Sequence, residues 1–100
     1  MPEQIEPTLF NKVKKALRIT NNALDEEIED IIGACKKDLQ ISGVEIIDET
    51  DELIAQACKT YARAEFDYAG KGDRYKECYS LLKQHLALCG DYRAVDWYVG

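Results

Sequence analysis

The stretch LKQHLALCGDY, residues 82–92, holds the only histidine of the chain, His85, with Cys89 four positions later. Four residues make about one helical turn, so on a helix the two side chains share a face. Cys78, seven residues before His85, falls on that face too. Three chemistries fit such a trio: a metal site, a thiol nucleophile with its base, or the inner side of a helix that ends at Gly90. A structural zinc site wants four ligands, and the fourth would have to come from Cys35 or Cys58 on another helix. A nucleophilic thiol needs an orienting group, an oxyanion donor and an electropositive, accessible setting. Cys78 and Cys89 stand instead among leucines and tyrosines, which points to small buried hydrophobes. On that reading His85 is half-buried, and all four thiols are expected to face the core and to react slowly.

The remaining residues add no chemical constellation. Cys35, Cys58, Cys78 and Cys89 are separated by 23, 20 and 11 positions, so no C-x-x-C pair signals a zinc ribbon or a thioredoxin-type site. AGKGDR lacks the spacing of a phosphate-binding loop. The carboxylates gather at helix starts, where they cap and solubilise, and no pair is marked as acid and base. No metal, cofactor or catalytic residue is expected.

One hundred residues allow one domain with a modest core. No apolar run approaches the roughly 18 residues that span a bilayer. The opening MPEQIEPTLF lacks the basic and apolar regions of a secretory signal, so synthesis in a cytoplasm and reduced thiols are expected. The net charge of −6 disfavours general binding to a phosphate backbone. That charge is uneven: Lys12, Lys14, Lys15 and Arg18 crowd one segment, whereas DEEIED and DETDE are acidic. Such stretches are ordinarily solvated helix faces, and the sharper reading is complementary patches on neighbouring subunits.

Apolar residues recur at helical spacing almost throughout, punctuated by glycine and proline, and predict an all-α bundle of four helices with a short irregular C-terminal tail. The domain is read as residues 1–90 and the tail as 91–100. The first helix is expected over about Thr8 to Arg18. The second is capped by Asn22, carries the stripe Leu24, Ile28, Ile31, Ile32, Cys35 and Leu39, and stops at Gly43. VEII at 44–47 has no second strand to pair with and reads as a loop with an apolar plug. Thr50 caps the third helix, Asp51 to Ala69, whose main face holds Leu53, Ile54, Ala57, Cys58, Tyr61, Ala64 and Tyr68. The fourth runs from Asp73 or Arg74 to Cys89, with Tyr75, Cys78, Tyr79, Leu82, His85, Leu86 and Cys89 facing inward.

Two sets of residues fall away from these stripes. Ala55, Ala62 and Phe66 lie opposite the main face of the third helix, and Leu81 and Leu88 form a strip beside that of the fourth. Both sets are expected to touch a neighbouring subunit. The tail DYRAVDWYVG places Tyr92, Arg93, Trp97 and Tyr98 beyond the last helix, and aromatics with arginine are the types enriched in binding hot spots.

KVKKALRITNNALDEEIEDIIGACKKDLQISGV, followed by LIAQACKTYARAEFDY and RYKECYSLLKQHLAL, resembles the phage head–tail connector family, whose members are described as head-completion adaptors or DNA-packaging proteins. The likeness covers about Leu9 to Tyr92, with ALRIT and LKQHL its most specific pieces. The family commonly has a proline where this chain has Thr50-Asp51-Glu52. The resemblance implies a helical protomer in a ring of its own kind, a dodecamer in the assembled particle, below the portal of a tailed phage or prophage. It implies a portal partner docked through the C-terminal region (Tyr92, Arg93, Trp97 and Tyr98 here), a stopper or tail-completion partner, and DNA that passes through without sequence-specific binding. The expected location is the virion, with no membrane contact. Two other classes fit the residues: a small acidic regulatory module that receives an amphipathic helix, which would be monomeric when free, and, less well, an enzyme.

Overall fold

Thr8 opens the first helix by accepting a hydrogen bond from the Asn11 backbone N–H at 3.1 Å. The structure is a computed structural model that describes residues 8–89. Its helices are α1 (Leu9–Ala16), α2 (Asp25–Ile41), α3 (Glu52–Glu65) and α4 (Gly72–Leu88), with a 3-10 turn at Tyr68–Gly70 between the last two. Among the described residues there is no strand, so the all-α reading and its four helices hold. The expected tail, residues 91–100, lies outside the described residues, as do Tyr92, Arg93, Trp97 and Tyr98.

Helices α1 and α2 end alike. After α2, Gly43 has φ +110° and donates its N–H to Gln40 O, while Val44 N–H reaches back to Leu39 O at 2.9 Å. After α1, Arg18 takes the glycine's part with φ +62°, donating to Lys15 O, and Ile19 N–H reaches Lys14 O. This pair of back-bonds closes a helix C-terminus through one left-handed residue. It also shortens α1, which stops at Ala16 rather than Arg18.

The starts differ from expectation in two places. Asn22 does not cap α2; its side chain accepts from Lys14 Nζ at 2.9 Å, and the same ammonium pairs with Asp25 at 2.8 Å. The α1–α2 corner is thus fastened by one lysine. At α3 the cap is Asp51, whose carboxylate accepts from the N–H groups of Leu53 and Ile54, while Thr50 is held by Asp48. The third helix also stops at Glu65, short of Ala69, because Asp67 and Ala69 are left-handed. Asp67 then accepts the Gly72 N–H at 2.7 Å. A Cβ on Gly72 would sit 2.6 Å from that carboxylate, so the close α3–α4 turn needs glycine there.

The core gathers on α3, which packs against the other three helices. Its buried residues are Ile54, Ala55, Ala57, Cys58, Thr60 and Ala62, and the Thr60 hydroxyl satisfies itself on Gln56 O. Facing them are Leu9 and Val13 of α1, with Leu17 just beyond it, the stripe Ile28, Ile32, Cys35 and Leu39 of α2, and Tyr79 and Leu86 of α4. Val44, fully buried, is the expected plug.

Burial of Ala55 and Ala62 corrects the reading of α3. These residues are 3% and 0% exposed, and α1 occupies that side, so they are not available to a neighbouring subunit. Phe66 is half-buried against the same core. Sequence periodicity treats a helix as having one narrow inner face, whereas α3 is the central element and buries a wide arc, leaving the line of Glu52, Gln56, Lys59 and Arg63 toward the surface. Leu53, expected inside, is instead 49% exposed.

A side chain in the left-handed region costs roughly 1–2 kcal/mol, partly offset in the unfolded chain if glycine replaces it. Arg18→Gly should therefore raise stability by up to about 1 kcal/mol in urea unfolding, whereas a loss of stability would show that the corner carries no strain.

Candidate functional site

The trio at the end of α4 is not a site. Cys78 and His85 are exposed and Cys89 is half-buried. Among the described residues no group of three or more histidine, cysteine or acidic side chains is placed to hold a metal ion. The expectation that Cys78 and His85 face inward does not hold. The fourth helix packs chiefly on one partner, α3, so its buried line narrows to Gly72, Tyr79 and Leu86, flanked by half-buried Tyr75 and Leu82. Cys35 and Cys58 are the inaccessible thiols, and Cys78 is open to solvent.

Where α4 meets α2 the link is polar. The Tyr79 hydroxyl, beside Cys35 Sγ at 3.8 Å, donates to Asp38 Oδ2 at 2.6 Å. Lys83 Nζ donates to the same oxygen at 2.9 Å and lies 5.3 Å from the Tyr79 ring centroid. An edge-to-face contact between Tyr79 and Tyr61, 5.0 Å between centroids, ties this cluster to α3. Burial works against the charged form of Asp38, but the bonds from Tyr79 and Lys83 outweigh it and hold the carboxyl below its ordinary value. Burial, then the bond to Asp38, pushes the Tyr79 phenol well above its own. The hydrogen bond to Cys58, then burial, keeps the Cys35 thiol protonated. These shifts describe a structural clasp: a carboxylate held in its charged form beside a phenol and a thiol held in their protonated forms.

The surface carries two features of another kind. An open groove of about 740 Å³ runs between α1 and α3, lined by Lys12, Lys15, Lys59 and Arg63 with Leu53 and Glu52 among them. Arg63 is occupied: it donates to Ala16 O, the last carbonyl of α1, and lies over the Tyr68 and Tyr75 rings. A smaller concavity beside it is lined by Lys14, Lys15 and Arg18. The second feature is apolar. Leu81 and Leu88 on α4 are 60% and 80% exposed, and Ile41 at the end of α2 is 76% exposed. Of the residues assigned from sequence to a subunit contact, only these two leucines lie fully on the outside.

Sequence reasoning missed the Asp38–Tyr79–Lys83 clasp and the groove. Nothing in the spacing of residues 38, 79 and 83 marks the first. The second had a signal in the Lys12–Arg18 cluster, but Lys59 joins it only through the packing of α3 on α1.

A four-helix chain that leaves Leu81, Leu88 and Ile41 in solvent keeps apolar surface outside its own core. The family model of the phage connector proteins matches residues 9–93, and the chain belongs to that family. No curated protein and no solved structure gave a significant match. Among the described residues no helix is long and apolar enough to cross a membrane.

The clasp sets a pH dependence with a definite sign. Below the ordinary Asp value of 3.8 the unfolded chain takes up a proton that folded Asp38 resists, so stability falls as pH drops through the carboxylate range. Above the ordinary Tyr value of 10.0 the unfolded chain has lost a proton that folded Tyr79 keeps, so stability falls again. Tyr79→Phe should cost about 1–3 kcal/mol at neutral pH and make both limbs shallower in urea unfolding followed across pH. Limbs as steep as those of the parent chain would mean that the clasp does not couple folding to protons.

Proposed function

We propose that the chain is a ring subunit at the head–tail junction of a tailed phage or prophage, where it extends the DNA channel between the portal and the stopper or tail proteins. The family match over residues 9–93 carries this reading. Supporting it, Leu81 and Leu88 leave an apolar strip on α4 that a neighbouring subunit would cover. The net charge of −6 suits a conduit through which DNA slides without adhering. On this reading the protein is a component of the virion, acts by assembly rather than by catalysis, and meets DNA without reading its sequence. The portal is met through Tyr92, Arg93, Trp97 and Tyr98, which follow α4 in the chain. Phe66, half-buried, contributes at most its outer edge to a subunit contact, so of the residues read from the sequence the two leucines are the ones open to such a contact.

Deleting residues 92–100 tests the docking. Helicity and melting temperature should stay nearly unchanged, while retention of the chain on immobilised portal protein should be lost. A truncated chain that is retained as well as the full one would contradict the docking role, and a large drop in melting temperature would assign those residues to the fold.

A further inference from the structure

Among the described residues, three of the groove's cations have no partner. Lys12, Lys15 and Lys59 line it, and none makes an ion pair or hydrogen bond among the described residues. Leu53 lines the same groove and is half exposed, although a leucine in that helix would ordinarily be covered. The opposite charge stands elsewhere. Glu26 and Asp30 are exposed on the first turns of α2, and like Lys12 and Lys15 they lie about one helical turn apart. Both sit on the side of α2 opposite the buried stripe of Ile28, Ile32, Cys35 and Leu39, so they point away from the chain's own groove.

The same outer face carries Gly33, a turn beyond Asp30. A Cβ there would meet nothing within 4 Å and its backbone is ordinary helix, so no contact within the chain asks for glycine. Glycine within a helix costs stability, and its gain is close approach by something outside. Next to it Ala34 is also exposed and small.

We propose that the α1–α3 groove receives the outer face of α2 from a second copy of this chain, with Glu26 and Asp30 against Lys12, Lys15 and Lys59 and with Leu53 seated over Gly33 and Ala34. Rigid matching of two carboxylates to a cationic groove beside one apolar seat fixes register as well as attraction. The groove and the acidic face are different surfaces, so the contact is heterologous: each subunit gives one and takes one, and the chain of contacts closes into a ring or runs on as a filament. A nucleic-acid backbone is the other anion that lysines could meet. Glu52 within the groove would repel a continuous phosphate backbone, whereas a protein face can set its carboxylates away from it, which favours the protein partner. The proposal rests on the reading of the chain as a ring subunit, and it names the surfaces.

Charge reversal in a two-sided design tests it. Sedimentation velocity at low salt, up to about 1 mM chain, should show association of the parent that weakens as salt is added. Lys12→Glu with Lys59→Glu, and separately Glu26→Lys with Asp30→Lys, should each weaken association by at least about tenfold. Mixing the two variants should restore it, since each then offers the charge the other lacks, and restoration also shows that both are folded. Gly33→Leu should weaken association with helicity unchanged. A parent that stays monomeric throughout, variants that associate like the parent, or a mixture that does not recover would each overturn the contact. So would a groove variant that associates normally but no longer retains duplex DNA held by the parent, which would reassign the groove to phosphate. Portal binding read in parallel separates the two levels: variants that lose self-association yet keep the portal support the contact, whereas a parent that self-associates through this groove but never binds the portal leaves the contact standing and removes the connector ring.

Discussion

One helix has to serve as the wall for the other three. Rather than ringing a common interior equally, α1, α2 and α4 are each laid against α3. That is possible because the inward positions of α3 are mostly small: Ala55, Ala57, Cys58, Thr60 and Ala62, with Ile54 the one large side chain. Small residues let helix axes approach at the short end of the usual 8–10 Å range from more than one direction. Larger groups on the outer helices, Leu9, Ile28, Leu39 and Leu86 among them, then fill the angles between neighbours. An enlarged side chain at Ala57 or Ala62 would have nowhere to go without moving a whole helix.

The arrangement decides what is left outside. Because α4 leans mainly on α3, its apolar residues exceed what it can bury, and Leu81 and Leu88 remain in solvent. Its tie to α2 is the Asp38 clasp, which fixes an angle between two helices that share little packing. On the far side, α1 crossing α3 brings Lys12 and Lys15 beside Lys59 and opens a cationic groove in an acidic chain. The exposed apolar strip and the cationic groove thus follow from the way the core is shared.

Much of this was legible from residue order, and the parts that were not share a cause. The α2 stripe is a single-faced pattern on a helix with one buried side, so periodicity reads it correctly, and Gly43 marks its end through the backbone conformation that glycine alone adopts cheaply. The Val44 plug follows from an apolar residue with no strand to pair. Periodicity fails on α3, where two opposite faces are buried and alanine is too neutral a residue to announce it. It fails on α4 in the other direction, since tyrosines, cysteines and leucines covered more of the helix than one partner could bury. The caps were misplaced by one or two residues because Asn22 and Thr50 had competing uses, with Lys14 and Asp48, that depend on where the chain turns. The connector character was readable from the family likeness of whole segments, while the groove depends on residues 36 or more positions apart meeting in space.

The central claim, that α3 is the shared wall on which the other helices depend, is tested most directly by native-state hydrogen exchange of the free chain. Amides of residues 55–62 should be the slowest of the protein and should exchange only through global unfolding, with an opening free energy equal to that from urea denaturation. Amides of α1 and α4 should exchange through smaller openings that leave α3 protected. Exchange of α3 through a sub-global opening while α1, α2 or α4 stays protected would contradict the account, because those helices would then hold together without the wall.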